Sequence, residues 1–347
     1  MHSGMDIAVG AYGGSARRLH DGKLARFLKD TLECALGASA ALPRFPEFRK
    51  LQLSDHALLQ RYTGAFAPYS DFNFACLWSW DLEGRIQVSD LNGNLVVHFA
   101  NFLYGEEFYS LLGTHSVNQA AAALIDHAER QRLVPCLQLV PEIVARELDP
   151  ATFSVVENAD HTDYILSTER LSTYQGPAFA SKRNEVRKFS RRFPQSRFTI
   201  LDLANASVRD QARQLFRRWS EQKESVPGDE ATREFQAFER GLAIAECLPL
   251  FAAGVFVDQV MAAISVSEIV DHANAITHFE KVDIANFPGL TAFVNQQVAG
   301  ALAARGIRYI NIEQDLGIAG LRTSKQSYSP CNYLRKYSVA RRRQERA

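Results

Sequence analysis

From residue 311 the chain gathers side chains able to do chemistry. Asn311-Ile312-Glu313-Gln314-Asp315-Leu316-Gly317-Ile318-Ala319-Gly320-Leu321-Arg322 is followed by Lys325 and Tyr328. Ile310 and Ile312 alternate as on one buried side of a strand, so Glu313 and Asp315 are presented as the chain leaves the sheet. Gly317 and Gly320 permit tight turns or a close backbone approach. Arg322, Lys325 and Tyr328 recur every third residue, one face of a helical turn. Carboxylates beside cations at the carboxyl end of a strand suit a charged ligand. A salt-bridge cluster pinning a loop would use the same residues.

Three other segments carry chemistry-bearing side chains. On the segment before Asp283, alternation puts His278 and Glu280 on one face and Lys281 on the other. His278 or Glu280 there can act as a general base toward an amine or hydroxyl, or the two can be a satisfied polar pair. Asn286-Phe287-Pro288-Gly289 precedes a helix whose first amides can hold a phosphate or carboxylate. A coenzyme A loop of the usual kind needs an Arg or Gln followed by spaced glycines. This loop has one glycine and no basic residue, so a plain helix start is the competing reading. Lys182 to Phe193 holds six basic residues and one acid, with Val186, Phe189 and Phe193 as its apolar stripe. That pattern fits a phosphate-contacting surface, for an RNA backbone or anionic lipid headgroups, or a solvated face. Arg335-Lys336 and Arg341-Arg342-Arg343 add a second basic cluster near the end.

The elements that must position these residues are legible in outline. Residues 1–44 read as a leader with a helix from Asp21 to Leu36. The first half, 45–171, predicts a helix over Leu58–Phe66 and a strand over Phe72–Trp80. A hairpin follows, closed by Asn92-Gly93, then a short helix over Glu107–Leu112 and an alanine-rich helix over Val117–Gln131. Strands Val134–Val140 and Phe153–Glu157 complete it. The second half, 172–338, predicts the basic helix and a strand over Phe198–Leu203. An amphipathic helix follows, with a capping pattern at Ser207 and Asp210, then a helix opening at Thr232. Three strands come next (Phe251–Val257, Val260–Glu268, Ala273–Val282), then a helix over Leu290–Arg305 and a strand over Ile307–Ile312. Residues 339–347 read as a basic tail. Strand, helix and strand over about 40 residues suffice for a right-handed parallel crossover. Antiparallel strands feeding one such unit give the layout of an acetyltransferase-like domain. The fold class is therefore α+β, with two tandem acetyltransferase-like (GNAT-like) domains, each a mixed, mainly antiparallel sheet flanked by helices.

Composition bounds the function. A chain of 347 residues accommodates two domains of about 130–170 residues each. At 46% hydrophobic and 22% charged it is globular, and 39 basic residues balance 39 acidic ones, unlike a dedicated nucleic-acid coat protein. The five scattered cysteines show no CxxC spacing and read as reduced thiols. Cys331 lies within the chemical region, with no base visibly paired to it. No HExxH, P-loop, GxSxG or zinc spacing occurs, so no metal is expected. No apolar run reaches the ~20 residues of a membrane span, and no secretory signal opens the chain, so the expected location is the cytoplasm.

The residues now carry a resemblance. Lys182-Arg183-Asn184 with Phe189 is one part, and His278-Phe279-Glu280-Lys281 with Gly289 and Asn295 a second. The third is Asn311 through Gly317, continuing to Gly320-Leu321-Arg322, Lys325, Tyr328, Pro330 and Lys336-Tyr337. Together they resemble the family named for the C-terminal domain of phosphatidylglycerol lysyltransferase. Ser70-Asp71-Phe72-Asn73-Phe74 to Trp78-Ser79-Trp80 resembles the family's first domain. The resemblance covers about Phe45 to Tyr337. It implies two packed acetyltransferase-like domains with a cleft in or near the second, similar to the peptidoglycan-bridge aminoacyltransferases. It implies transfer of an aminoacyl group from charged tRNA to a small molecule, a lipid headgroup or a peptide amine or hydroxyl. Such an activated ester needs no cofactor, only positioning, a proton acceptor and oxyanion stabilisation.

On that implication Glu280, Asp315 and Glu313 are the candidate catalytic residues. Asn311, Arg322, Lys325, Tyr328, His278 and Asn295 would bind substrate. Lys182, Arg183 and Gly289 would meet the donor's phosphates. Two other readings stay open: an N-acyltransferase using acyl-CoA, and a non-catalytic module that binds a ligand in the cleft. The lipid-modifying members carry a large membrane domain, and no comparable apolar spans occur here.

Overall fold

Period-two apolar patterning becomes fourteen strands in the computed structural model, which describes residues 41–100, 107–221, 228–245 and 247–342. The expected leader helix lies outside these residues. In chain order the strands are β1 (Arg49–Lys50), β2 (Gln87–Leu91), β3 (Asn94–Ala100), β4 (Glu107–Leu112), β5 (Cys136–Pro141), β6 (Phe153–Glu157) and β7 (Asp163–Ser167). There follow β8 (Arg197–Leu201), β9 (Leu250–Val257), β10 (Val260–Ile269), β11 (Asn274–Val282), β12 (Tyr309–Asn311), β13 (Asn332–Leu334) and β14 (Lys336–Arg341).

The first half holds a sheet ordered β1-β2-β3-β4 and, packed beside β4, a sheet ordered β5-β14-β6. The second half is one sheet ordered β8-β9-β10-β11-β12-β7-β13. Read across, both halves present seven strands in corresponding order, and each lends the other its sixth. β14 comes from the end of the second half, and β7 from the first. A cut at 171/172 therefore does not separate the sheets. Residues 339–341, expected in a tail, lie in β14, where Val339 is fully buried.

Every ladder between the named strands is antiparallel except β11–β12. The parallel pair is joined by the helix Leu290–Ala303, whose buried Leu290, Ala292, Val294, Val298, Ala299 and Leu302 lie in the second-half core. The basic helix, Ala180–Arg192, packs on it through Phe189 and Phe293, 4.8 Å between ring centres. In the first half, the helix Val117–Arg130 covers the sheet through Ala120, Ala121 and Leu124.

Three local expectations are corrected. Phe72–Trp80 is not a strand. Asn73 caps a helix over Phe74–Trp80, its side chain accepting from the Cys76 amide at 3.1 Å. Because Phe74 to Ser79 are all buried, neither period shows in the sequence. Glu107–Leu112 is not a helix but β4, paired with β3 in the register Leu95↔Leu112. The helix Ala206–Glu221 takes its start from Asn205, which accepts from the Ser207 amide at 2.9 Å, while Asp210 pairs with Arg213.

The exchanged strands are tied by a buried polar network. Lys336, fully buried at the start of β14, pairs with Asp71 and, at 2.7 Å, with Asp163 of β7. It also donates to Gln314 Oε1 at 2.9 Å and Ser70 Oγ at 3.2 Å. Asp163 accepts from the Ser70 amide at 2.9 Å and from Asn311 Nδ2 of β12 at 3.0 Å. Burial opposes charge on Lys336, but Asp163 and Asp71 outweigh it and hold the ammonium above its ordinary value. Burial pushes the Asp71 carboxyl up to about 6. Lys336→Ala would leave two buried carboxylates uncompensated, and the expected loss is about 3–5 kcal/mol. Urea unfolding reads it, and a loss below about 1 kcal/mol would remove the network from this role.

Candidate functional site at the splayed strands

β11 has nine residues and β12 three, and their parallel ladder covers only Asn274–Ile276 against Tyr309–Asn311. The chain leaves β12 because Asn311 turns its side chain back onto it, Oδ1 accepting from the Glu313 amide at 2.7 Å. Glu313 itself has left-handed backbone, φ 59. His278 to Val282 consequently have no β12 neighbour. The opening is filled by side chains of the strand exit, of the helix Leu290–Ala303 and of the helix Ala319–Gln326.

Glu280 sits in this opening and accepts from Asn295 Nδ2 at 3.0 Å. Asn295 is held in turn by the Thr291 carbonyl at 2.9 Å. Burial pushes the Glu280 carboxyl up to about 7, against the pull of Asn295, Lys281 and Lys325. Lys281 points to the opposite face, as alternation predicts, pairing with Glu234 and lying 4.1 Å from the centre of the Trp219 ring. Lys325 donates to the carbonyls of Ile312 (2.5 Å) and Gln314 (2.6 Å), clamping the strand exit. Burial lowers its ammonium to about 8. Tyr328 is buried, and its hydroxyl has no hydrogen-bond partner among the described residues.

Next to Glu280 along β11, His278 lies between two carboxylates. Nδ1 is 3.0 Å from Glu313, and Nε2 is 3.5 Å from Glu268 of β10. The longer contact is an ion pair rather than an aligned hydrogen bond. Burial disfavours the imidazolium, yet Glu268 and Glu313 raise it to about 9. Glu268 also meets His56 at 3.5 Å and Asn73 Nδ2 at 2.9 Å. Burial would raise its carboxyl, but His278 and His56 hold it at about 2. His278 is thus a fixed cation that orients Glu313, not a free base.

Asp315 is also committed. Fully buried, it accepts from Arg322 Nε (2.9 Å) and Nη2 (2.8 Å), the Tyr164 hydroxyl (2.5 Å) and the Gly317 amide (2.9 Å). Arg322 reaches on to Asp160 at 2.5 Å. A carboxylate so saturated is held below its ordinary range and is no proton acceptor; Asp315 and Arg322 bind the strand exit to the first half. Asn311 is structural too, donating to the Pro68 carbonyl at 2.8 Å as well as to Asp163.

The residues expected to meet phosphate divide. Lys182 lies over the Tyr328 ring, 4.4 Å from its centre, and 3.7 Å from Glu185, so it borders the opening. Arg183 instead donates to the carbonyls of Tyr174 and Gly176 (2.6 Å to the latter), fixing the turn before its own helix. Gly289 has φ 89, and a Cβ there would stand 2.6 Å from the Glu185 carbonyl oxygen. Its task is close helix approach. Cys331 gains no activation: burial raises its thiol, the opposite of what a nucleophile needs. His56, Tyr164, Asp160 and Asp163 reach the site from segments distant in sequence, and Glu268 reaches it across the β10–β11 ladder, so none stands out in the sequence around residues 278–325. The one local signal was Asp163, a carboxylate heading the apolar run Tyr164-Ile165-Leu166.

The model of the family described as phosphatidylglycerol lysyltransferase, C-terminal, matches residues 65–340, and the chain belongs to that family. Among solved structures, a conserved protein of unknown function from Bacteroides thetaiotaomicron VPI-5482 is 25% identical, with TM-score 0.73, covering 85% of this chain and 99% of its own. The C-terminal domain of a putative lysylphosphatidylglycerol synthetase from Agrobacterium fabrum shares the fold at 11% identity and TM-score 0.58, covering 83% and 92%. L-PGS from Bacillus licheniformis does so at 11% and 0.55, covering 89% and 95%. No curated protein sequence matches the chain. No helix among the described residues is long and apolar enough to cross a membrane.

Glu280 titrates above its unfolded value, so the native state binds its proton more tightly between about pH 4.5 and 7. Its ionisation should therefore cost stability as pH rises through that window. Glu280→Gln should be more stable than the native protein at pH 8, by on the order of 1–3 kcal/mol, and equal to it near pH 4. Chemical denaturation at the two pH values measures this. A pH-independent difference would mean that Glu280 is ordinary.

Proposed function

We propose that the protein is a transferase that moves an aminoacyl group from charged tRNA to an amine or hydroxyl of a small molecule, lipid headgroup or peptide, at the splay between β11 and β12. One observation carries this reading. Glu280 is a carboxylate raised to about 7 by burial, standing where β11 has lost its neighbour. A base poised near neutral pH is matched to taking a proton from an attacking group. The acceptor's nucleophile forms a bond to the ester carbonyl carbon and gives its proton to Glu280. The bond from that carbon to the ribose oxygen then breaks. Glu280 returns the proton to the leaving oxygen, regenerating the carboxylate and releasing uncharged tRNA. The Tyr328 hydroxyl, buried and without a hydrogen-bond partner among the described residues, is a donor available to the developing oxyanion. No cofactor takes part.

The donor reading is supported by the basic helix. Arg187, Lys188, Arg191 and Arg192 are exposed and form no ion pair among the described residues, which suits phosphate contact. They take the role first expected of Arg183 and Gly289. Because Gly289 is filled by the neighbouring helix, its loop is a poor cradle for a pyrophosphate, which disfavours a coenzyme A donor. A charged-tRNA donor places the protein in the cytoplasm. The matching strand order of the two halves supports a tandem duplication of one acetyltransferase-like fold.

Incubating the protein with a radiolabelled pool of aminoacyl-tRNAs and a panel of amines, hydroxyl compounds and phosphatidylglycerol micelles tests the reading. Label should leave the tRNA for one acceptor, and Glu280→Gln should slow this about 10²–10⁴-fold. Transfer from acetyl-CoA with none from charged tRNA would contradict the donor. Unimpaired transfer by Glu280→Gln would contradict the site.

A further inference from the structure

A second cavity lies on the Glu268 side of His278. It opens between the helix His56–Thr63, the turn before the helix Phe74–Trp80, and the ends of β10 and β11, and its interior holds about 60 Å³. Glu268, only 8% exposed, is at once part of its lining and partner to His278, His56 and Asn73. The splay site does not use this cavity.

The lining fixes the sign of what it can hold. Among the described residues, Glu268 and Asp271 are its carboxylates, His56 its one imidazole, and no Lys or Arg lines it. Phe66, Tyr69, Phe72 and Phe74 supply apolar wall and aromatic rings. An anion would meet two carboxylates, offset by the His56 imidazole at the lining and by His278 behind Glu268. A cation would meet a shielded carboxylate in a half-apolar setting, where charge interaction is stronger than in water, and rings that favour positive charge. An apolar stem would be buried along the same wall.

We propose that this cleft is a binding site for a small organic cation, a protonated amine carried on an apolar stem, with its ammonium against Glu268 and its stem along the aromatic wall. The His56–Glu268 pair is the part that yields: at 3.5 Å, with the His56 side chain 29% exposed, the imidazole can swing aside and leave one carboxylate oxygen to the ligand. The other oxygen keeps Asn73 and His278, so occupancy is communicated to the His278–Glu313 contact at the splay. The site does not depend on the proposed transfer reaction.

The probe is n-butylammonium chloride, titrated into the full chain while the imidazole carbon-bound resonances of His56 and His278 are followed by NMR. Potassium chloride at matched ionic strength and 1-butanol serve as references. Butylammonium should shift His56 saturably, with a smaller shift of His278, and neither reference should reproduce the curve. Glu268→Gln should weaken binding at least tenfold. Since that change also disturbs His278, Gln60→Lys at the exposed mouth provides a variant that leaves the floor intact. It should weaken binding several-fold. Equal shifts from potassium chloride or from butanol, or the same affinity in Glu268→Gln and Gln60→Lys, would overturn the proposal.

Discussion

One buried ammonium organises this molecule. Lys336 sits at zero exposure between Asp71 of the first half and Asp163 of β7, and reaches Gln314 at the strand exit. Desolvating three charges is costly, so the arrangement persists only with every partner in place. The partners come from the segment before the first-half helix, from each exchanged strand and from the end of β12. The fold therefore cannot close its two halves independently. The lysine that starts β14 in the first half also fixes where the chain leaves β12 in the second.

That exit produces the site. With β12 stopped at Asn311, β11 runs on without a neighbour on that side, and the polar side chains His278 and Glu280 meet side chains of the strand exit and the flanking helix rather than a further strand. Two kinds of carboxylate result. Glu313, Asp315 and Glu268 are held by cations and donors. Glu280 has one amide from Asn295 and burial, and so keeps its proton to near neutrality. Carboxylates around one strand exit are thus divided into structural anions and one basic group by what surrounds them.

Much of the scaffold was legible in the sequence because it is periodic. The β9-β10-β11 meander, the helix Leu290–Ala303 and a strand at β12 follow from apolar spacing, but the spacing extends that strand over Ile307–Ile312 and does not show that it stops at Asn311. Glu280 and Asn295 could be singled out, the first from alternation and both from family resemblance. The roles within the Asn311–Lys325 segment could not. Asp315 has the residue type of a catalytic group but is a clamp, because Tyr164, which donates to it, and Asp160, which holds its partner Arg322, both lie more than 150 residues away in sequence. Phe72–Trp80 was misread because a fully buried helix has no polar face to show a period. The exchange of β7 and β14 left no local trace, since an exchanged strand has the same alternation as an ordinary one.

In the proposed reaction the reacting carbonyl must come to Glu280. An adenosine bearing an aminoacyl group through a 3′-amide mimics the charged end of tRNA without reacting. Added to protein labelled with ¹³C at glutamate carboxyl carbons, it should move the Glu280 signal saturably, leaving surface carboxyls such as Glu157 unmoved. If Glu280 stays still while other glutamates respond, or if none responds, the splay is not where the donor binds.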